Sequence, residues 1–244
     1  MDSGYYAACA GLAAQTQALD LVANNLANLS TTGYRASRAT FRTLLSGSGS
    51  VGLSPVNAAI NAYGTLSGSR IDRSPGSLTP TGNPLDLAIA GEGFFEVQSG
   101  GRVLFTRNGS FHRTPEGLLV SAEGDPVLGE QGRINLPNGP VAVSSDGTIS
   151  VAGAVVAKLR VVEFSPTANL QAAGNALYEA PEKSALPAAS SSVRQEMLEQ
   201  SNVSSIQGVV QLINVQRNAE MMQRALSLFD SQFNQTAVQD LAKV

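Results

Sequence analysis

The stretch GYYAACAGLAAQTQALDLVANNLANL, residues 4–29, decides how the rest of the chain is organised. It contains no proline, and Gly11 is its only internal glycine, so no residue type in it interrupts a regular backbone. Apolar side chains recur at a spacing of three and four residues, which is typical of one face of a helix. We therefore expect one long helix, capped by Asp2 or Ser3 and ended by Gly33.

A heptad seam runs along this predicted helix, but small and polar residues dilute it. The seam residues are Tyr5, Cys9, Leu12, Thr16, Leu19, Ala23, Leu26 and Ser30, with Val22 beside them. The opposite face carries Ala, Gln, Asn and Thr, where a solvated helix carries charged pairs. Small neutral side chains let other helices approach closely, so the sequence predicts a helix that is packed by neighbours.

A second long helix is predicted at the other end of the chain, over residues 204–242. Ser204 and Gln207 have the spacing of a capping box at its start. Its apolar seam consists of Leu212, Val215, Ala219, Met222, Leu226, Phe229 and Phe233, broadened by Ile206, Val209 and Ile213. Neither helix has a core of its own nearby in sequence. We therefore expect the two to pair with each other as a coiled-coil-like rod.

The chain between the helices has a different character. Residues 46–50, SGSGS, are typical of a flexible linker, and glycine and proline then recur to about Pro187. Short apolar runs alternate with turn pairs such as Asp146-Gly147, which predicts hairpins and eight to twelve short strands. The expected fold is α+β, with an all-β module inserted between the helices. Its expected parts are a helical assembly domain (1–45 and 195–244), a linker (46–69) and a β-rich module (70–190).

Composition excludes several classes of function. Only 14% of the residues are charged, the net charge is −3, and no basic block exists to bind a phosphate backbone. A single cysteine, Cys9, excludes an internal disulfide. With His112 as the only histidine, the soft ligands of a zinc site are missing, and a catalytic triad would depend on one imidazole. We interpret His112 as a surface strand residue, and we expect no cofactor, metal, nucleic acid or small-molecule substrate.

Two other patterns resemble part of a nucleotide-binding loop and part of a carboxylate site, but each lacks residues that such a site needs. Gly91 and Gly93 have the start of a dinucleotide-binding loop, but a strand-like run follows them where that loop needs a helix. The four aspartates of the β module stand in turn-like settings, which favours turn formation over catalysis or calcium binding. They are Asp72, Asp86, Asp125 and Asp146. We expect no catalytic residues.

Three amide side chains, Asn24, Asn25 and Asn28, stand near the end of the first helix. Asparagine is a poor former of helix interiors, so local propensity does not explain them. Buried between helices, they could fix the register, as a polar seam residue does in coiled coils. Alternatively, they mark a fraying helix end on the surface. The residues alone favour neither hypothesis.

Five motifs, in order, resemble the signatures of bacterial flagellar axial proteins of the rod and hook. They are LVANNLANLSTTGYR (21–35), TGNPLDLAIAGEGFF (81–95), FTRNGSF (105–111), LLVSAEGDPVLG (118–129) and LEQSNV (198–203). The resemblance covers nearly the whole chain. It implies a structural subunit of the basal-body rod, which assembles helically into the drive shaft that transmits torque. In the family, the terminal segments line the export channel and the β module forms the outer layer.

The resemblance also implies partners and a location. The partners would be other rod subunits, proximal and distal, copies of the chain itself, and the flagellar type III export apparatus. The location would be the periplasmic rod, with export that needs no cleaved signal; Asp2 stands where a secretory signal would carry a basic residue. The amides are then expected between subunits. The expected packing residues are Leu12, Leu19, Val22, Asn24, Asn25, Leu26, Asn28, Leu212, Val215, Met222, Leu226, Phe229 and Phe233.

Within the family, length and one motif favour the proximal rod type. The region 38–66 is short, and the motif VQRNAE (215–220) has Ala219 where the distal type carries an aromatic residue. A distal rod protein is the alternative, followed by a hook-type protein. Functions of other classes, a glycosidase acting on peptidoglycan or an adhesin on a helical stalk, lack an acid-rich cleft and a signal peptide respectively.

Overall fold

A computed structural model describes residues 2–42, 65–181 and 184–241 of the chain. Two helices flank a series of short strands: α1 spans Asp2–Ala27 and α2 spans Ser205–Leu241. The α1 helix ends in two successive turns, in which Thr31 N–H donates to the Asn28 carbonyl and Tyr34 N–H donates to the Thr31 carbonyl. At the start of α2, Gln207 N–H donates to Ser204 Oγ at 3.4 Å, which is half of the predicted capping box.

In the described part of the chain, nineteen strands lie between the helices. They are β1 (Ser37–Arg42), β2 (Thr65–Ile71), β3 (Leu78–Pro80), β4 (Leu87–Ala90), β5 (Phe94–Ser99), β6 (Arg102–Thr106), β7 (His112–Arg113), β8 (Leu119–Val120), β9 (Leu128–Gly129), β10 (Gly132–Arg133), β11 (Val141–Val143), β12 (Thr148–Val151), β13 (Ala154–Lys158), β14 (Val161–Phe164), β15 (Gln171–Gly174), β16 (Leu177–Glu179), β17 (Ala185–Pro187), β18 (Ser192–Gln195) and β19 (Met197–Glu199). The eight to twelve strands predicted were too few. Pairs such as β7 with β8 and β9 with β10 are only two residues long, which is too short for a periodic pattern in the sequence.

The largest sheet has six antiparallel strands in the order β15-β16-β6-β5-β14-β17. Its central strand β5 is buried on both faces, because consecutive side chains of a strand point in opposite directions. Phe95 therefore joins one hydrophobic cluster, and Phe94 joins another on the opposite face. The sheet separates two cores, of which the Phe94 core also contains Phe105, Phe164 and Tyr178.

Tight turns connect the strands, and several of their residues have the positive φ values that such turns require. The hairpin predicted at Asp146-Gly147 is confirmed, since β11 and β12 pair antiparallel across it and Gly147 has a φ of 84°. The turn between β15 and β16 consists of Asn175 (φ 49°) and Ala176 (φ 54°). This left-handed pair suits a two-residue hairpin, but alanine is an unfavourable residue in that conformation.

The chain divides into two compact units. The β unit comprises residues 27–36 and 70–203 and contains both cores. The helical unit contains, among the described residues, 2–26, 37–42, 65–69 and 204–241. Residues 27–36 therefore belong with the β strands, although the chain on either side of them belongs to the helical unit. Most of the predicted linker (46–69) lies outside the described residues, and its residues 65–69 form part of β2.

The prediction that the two terminal helices pair as a coiled-coil-like rod is wrong. Within the described ranges, helices of 26 and 37 residues are present, but they form no long paired seam. Among the α1 residues whose burial is described, Gly11, Ala14 and Ala18 are buried, whereas the predicted seam residues Leu12 and Leu19 are only half-buried. Both helices exist as predicted; their pairing does not.

The composition of the seam explains this difference. A coiled coil needs large apolar side chains at both seam positions of each heptad to enclose a core. In α1, Thr16 and Ala23 occupy seam positions and are exposed, so the seam can bury little apolar area.

The first turn of α2 lies against the end of α1, since a Cβ at Gly208 would be 3.6 Å from Leu26 Cδ1. Neither helix, over its described residues, is long and apolar enough to cross a membrane.

Candidate functional site

Three charged side chains form a buried cluster in the β unit. Glu199 at the end of β19 binds Arg35 through one carboxylate oxygen, with 2.7 Å between Oε1 and Arg35 Nη2. Its other oxygen binds Arg107, with 3.0 Å between Oε2 and Arg107 Nη1. None of the three side chains is exposed to solvent. The cluster thus joins the segment after α1, the loop after β6 and the segment before α2.

Backbone groups complete the coordination of the charges. Arg35 Nη1 donates to the Ser74 carbonyl at 2.8 Å, and Gly76 N–H donates to Glu199 Oε1 at 2.8 Å. Arg107 donates to the carbonyls of Ile89 and Gly91 at 3.2 and 2.6 Å. These contacts replace the water that each charged group loses on burial.

The cluster contains two guanidinium groups for one carboxylate. Burial lowers the pKa of Arg107 to about 10, against the opposing effect of Glu199, so Arg107 stays protonated at neutral pH. Its guanidinium lies 5.0 Å from the centroid of the Phe94 ring, a distance at which the ring face attracts a cation. The charged groups of the cluster therefore pair with one another and with backbone carbonyls and N–H groups, and they hold the surrounding segments together.

The segment that carries Arg35 lies directly against the strands. Gly33 has a φ of 68°, and its N–H donates to the Glu199 carbonyl at 2.7 Å. A Cβ at Gly33 would lie 2.3 Å from the carbonyl carbon of Arg107, a distance that no real side chain tolerates. Arg35 N–H donates to the hydroxyl of buried Tyr178 at 2.7 Å. Burial raises the pKa of Tyr178, so its hydroxyl remains protonated.

Asn202 ties this segment to the chain that leads into α2. Its Oδ1 accepts a hydrogen bond from Ala36 N–H at 2.7 Å. Its Nδ2 donates to the carbonyls of Asp72 and Ser74 at 3.0 and 2.9 Å. One amide side chain thus connects three separate parts of the chain, so the segments that precede β1, β3 and α2 are fixed at one place.

The structure places the three predicted asparagines in different settings. Asn25 closes a loop within the helical unit: its Nδ2 donates to the Ser37 carbonyl and its Oδ1 accepts from Ser37 N–H, both at 2.8 Å. In the β unit, Asn28 Oδ1 accepts from the Thr31 hydroxyl at 3.1 Å. Asn24 is exposed. Asn25 and Asn28 therefore shape the turn after α1 within the chain.

The predicted apolar packing residues are partly covered. Leu12, Leu19, Val22 and Leu26 of α1 are half-buried. The same holds for Leu212, Val215, Met222 and Leu226 of α2. Phe229 and Phe233 belong to α2, but their side chains lie outside the described part. Of these residues, Leu26 is brought to the start of α2, at Gly208.

Other polar groups of the β unit serve its local structure. Asp72 accepts from Ser74 N–H at 3.0 Å and Asp146 accepts from Thr148 N–H at 3.2 Å, as expected for turn aspartates. His112 is exposed in β7, in agreement with its interpretation as a surface strand residue. Among the described residues, no group of three or more His, Cys, Asp or Glu side chains is arranged to hold a metal ion.

A shallow cavity of about 370 Å³ lies beside β14, and its charges are already paired. Lys158 Nζ is 3.1 Å from Glu130 Oε1, and Arg160 Nε is 3.3 Å from Oε2 of buried Glu96. Burial raises the pKa of Glu96, against the opposing effect of Arg160. Asp146, which also lines the cavity, accepts hydrogen bonds from the N–H and the hydroxyl of Thr148.

The buried cluster was not predicted from the sequence. Arg35, Arg107 and Glu199 belong to three of the quoted motifs, but charged residues are expected at the surface, and nothing in one chain tells which are buried. One signal was available. Arg35 and Arg107 are the only charged residues in their two motifs, and a lone charge in a neutral motif needs a nearby partner if the motif is buried.

Comparison with known proteins gives two family matches. A model described as "Flagella basal body rod protein" matches residues 6–35, which include most of α1 and the segment up to Arg35. A model described as "Flagellar hook protein FlgE/F/G D1 domain" matches residues 88–151, in the β unit. The second match includes Arg107.

Individual relatives are similar over most or all of the chain. The flagellar basal-body rod protein FlgF of Caulobacter vibrioides is 32% identical over 250 residues, covering 100% of both chains. FlgF of Salmonella typhimurium is 32% identical, covering 94% of this chain and 95% of its own. The flagellar basal-body rod protein FlgG of Agrobacterium fabrum is 31% identical, with 91% and 94% covered. The similarity therefore extends over both units.

Proposed function

Because this chain belongs to the family of flagellar basal-body rod proteins, we propose that it is a structural subunit of the bacterial flagellar rod. Copies of the chain assemble helically with other rod subunits into the axial shaft, which transmits torque and encloses the export channel. The subunit lies in the basal body and reaches it through the flagellar export apparatus. The work of the protein is assembly, and it catalyses no reaction.

The exposed face of α2 is the observation that carries this proposal. Ile206, Val209, Val210 and Ile213 follow one another at helical spacing and are 77%, 45%, 52% and 45% exposed. Soluble monomers rarely leave such a continuous apolar face open to water. Neighbouring subunits that cover this face would bury it, together with the half-buried seam residues Leu212 and Val215.

The buried cluster supports a mechanical role. The segment that follows α1 and the segment that leads into α2 are joined by the ion pair between Arg35 and Glu199 and by the hydrogen bond from Ala36 N–H to Asn202. A load that arrives along either terminal segment therefore reaches the same rigid point of the β unit. Removal of one partner of a buried ion pair lowers the free energy of unfolding by about 3–5 kcal/mol. A junction that depends on such pairs suits a subunit that must keep its structure under torque.

We assign the protein to the proximal, FlgF type. The FlgF relative from Caulobacter vibrioides covers the chain from end to end. Ala219 replaces the aromatic residue expected of the distal type, and the region 38–66 is short. The distal, FlgG type is the alternative, because the FlgG protein of Agrobacterium fabrum is 31% identical, nearly as similar as the FlgF relatives.

The position of the subunit in the rod tests this assignment. An epitope-tagged subunit should label the membrane-proximal part of the rod in purified basal bodies; label at the distal part would support the alternative.

The assembly surface is tested by one substitution with a matched control. In a strain that lacks the gene, Ile213→Asp should abolish motility and prevent rod completion, because it places a charge in a surface that must be buried. Gln216→Asp adds the same charge to the same helix at an exposed polar position and should restore motility. Both purified variants should unfold with the wild-type midpoint of the β unit. Normal rods formed by Ile213→Asp would contradict the proposal.

A further inference from the structure

The β unit contains two asparagine–glycine pairs, Asn108-Gly109 and Asn138-Gly139. In such a pair the backbone nitrogen of the glycine can attack the side-chain amide carbon of the asparagine, because glycine has no side chain that shields its nitrogen. The reaction also requires that the nitrogen and the carbon approach each other in the folded chain. The two pairs have the same chemistry, so their surroundings decide which of them reacts.

The first pair is held in place on all sides. The side-chain oxygen of Asn108 accepts a hydrogen bond from Ser110 N–H at 3.1 Å. Gly109 is buried, and its carbonyl accepts from the N–H groups of Leu87 and Phe111 at 3.0 and 2.9 Å. A Cβ at Gly109 would collide with the Leu87 carbonyl, so the two backbones are in direct contact. Ring closure rotates the peptide group between asparagine and glycine, and here that rotation requires local opening of the structure.

The second pair lies at an exposed bend before β11. Asn138 and Gly139 are both exposed. In the part of the chain that the structure describes, neither the Asn138 side chain nor the Gly139 N–H has a hydrogen-bond partner. The carbonyls of the two flanking prolines do accept hydrogen bonds, from Arg113 Nη1 at 2.8 Å and from Ala152 N–H at 3.0 Å. The bend is therefore fixed at both ends, while the peptide group at its tip can rotate without breaking a hydrogen bond.

We propose that Asn138 is a site of spontaneous covalent modification, at which the side-chain amide is lost while Asn108 stays intact. The Gly139 nitrogen forms a bond to Asn138 Cγ and gives up its proton, and the side-chain nitrogen leaves as ammonia. Water then opens the resulting succinimide ring at either carbonyl, which yields aspartate or isoaspartate. Either product adds one negative charge to a chain whose net charge is −3. This modification does not depend on the proposed function.

The first test follows both pairs in the same full-length protein. The folded chain is incubated at neutral pH and digested with trypsin, which places Asn108 in the peptide 108–113 and Asn138 in the peptide 134–158. Mass spectrometry measures the deamidated fraction of each residue, and digestion in heavy-oxygen water marks any reaction that occurs during the digest. Asn138 should react at least about tenfold faster, because ring closure at Asn108 must first break hydrogen bonds. Equal rates, or a faster reaction at Asn108, would overturn the proposal.

The second test separates the structure from the local sequence. In urea the contacts that protect Asn108 are absent, so both asparagines should react at similar rates. A preference for Asn138 that is as large in urea as in the folded chain would contradict the proposal. So would an Asn138 that reacts in urea and stays intact in the folded chain.

Asn138→Gln is the matched variant, because it keeps an exposed amide whose longer side chain must close a larger, more slowly formed ring. The wild-type chain should accumulate an acidic species on isoelectric focusing and accept methyl groups from an isoaspartate methyltransferase. Asn138→Gln should do neither over the same time. Equal accumulation of the acidic species by the two chains would show that the modified residue lies elsewhere.

Discussion

Arg35 and Glu199 form a buried ion pair, with 2.7 Å between Nη2 and Oε1 and neither side chain exposed to solvent. Arg35 stands in the motif that follows α1, and Glu199 stands in the motif that precedes α2. A buried pair adds little net stability, because desolvation offsets the attraction, but removal of one partner leaves an uncompensated charge. The pair therefore enforces one arrangement of the chain more than it stabilises the fold.

Glu199→Gln should destabilise the β unit by about 3–5 kcal/mol, since it leaves Arg35 and Arg107 buried without a counter-charge. Urea denaturation of the purified chain measures this change. Glu179→Gln is the control: Glu179 pairs with Arg102 at 3.3 Å, but its side chain is 51% exposed. That substitution should cost less than about 1 kcal/mol. Equal losses for the two variants would show that the cluster has no special role.

Gly33→Ala should cost more stability than the same change at Gly82. Both glycines have positive φ values, 68° and 75°, so alanine is strained at either position. Only at Gly33 would the added Cβ meet backbone atoms; at Gly82 nothing lies within 4 Å. We expect Gly33→Ala to be worse by about 1–3 kcal/mol in chemical denaturation, the usual cost of overpacking. A difference near zero would mean that the segment after α1 is not held against Arg107.

Ala176→Gly should stabilise the β unit. Ala176 has a φ of 54° in the turn between β15 and β16, and glycine at this position relieves a strain of about 1–2 kcal/mol. Glycine also raises the conformational entropy of the unfolded chain, which offsets part of this gain. The expected net gain is about 0.5–1 kcal/mol, seen as a higher Tm. Ala172→Gly, in the exposed strand β15, should lower the Tm instead. A lower Tm for both variants would contradict the strain at Ala176.

Glu163 should make the free energy of unfolding fall as the pH is lowered in the acid range. Hydrogen bonds from the Ser191 hydroxyl and from Ser190 to its Oε1 hold its pKa below the usual 4.5. A carboxyl with a lowered folded pKa stabilises the protein above pH 4.5, and this contribution is lost as the pH falls through the folded pKa.

Thermal melts as a function of pH check this effect. The Tm difference between wild type and Glu163→Gln should be largest near neutral pH and should shrink below pH 4.5. Ser190→Ala removes the hydroxyl donor at 3.0 Å and should produce a smaller effect in the same direction. A Tm difference that stays constant across the whole acid range would rule out this role of Glu163.

Features that depend on neighbours in sequence were predictable. Both helices, the hairpin at Asp146-Gly147 and the turn aspartates follow from periodicity, caps and turn chemistry, all of which act over a few residues. The pairing of the helices was not predictable in the same way. A seam with Thr16 and Ala23 fits a helix packed on several sides as well as a coiled coil, and the sequence alone favoured the wrong partner.

The candidate site was unpredictable for a related reason. Arg107 and Glu199 meet only because several β strands bring distant residues together, and nothing in their local sequence sets that distance. Asn25 is a second example. Its poor helix propensity left two hypotheses open, packing between helices and a fraying helix end, and the structure shows a contact within the chain, with the backbone of Ser37 at 2.8 Å.

The strand β5 belongs to two cores at once, because Phe94 and Phe95 are consecutive residues in opposite clusters. Neither cluster can come apart while β5 remains in the sheet, and neither can stay whole once β5 leaves it. The β unit should therefore melt in a single all-or-none step, with its calorimetric enthalpy equal to its van't Hoff enthalpy. Its hydrogen-exchange protection should be lost at the same denaturant concentration on both faces of the sheet.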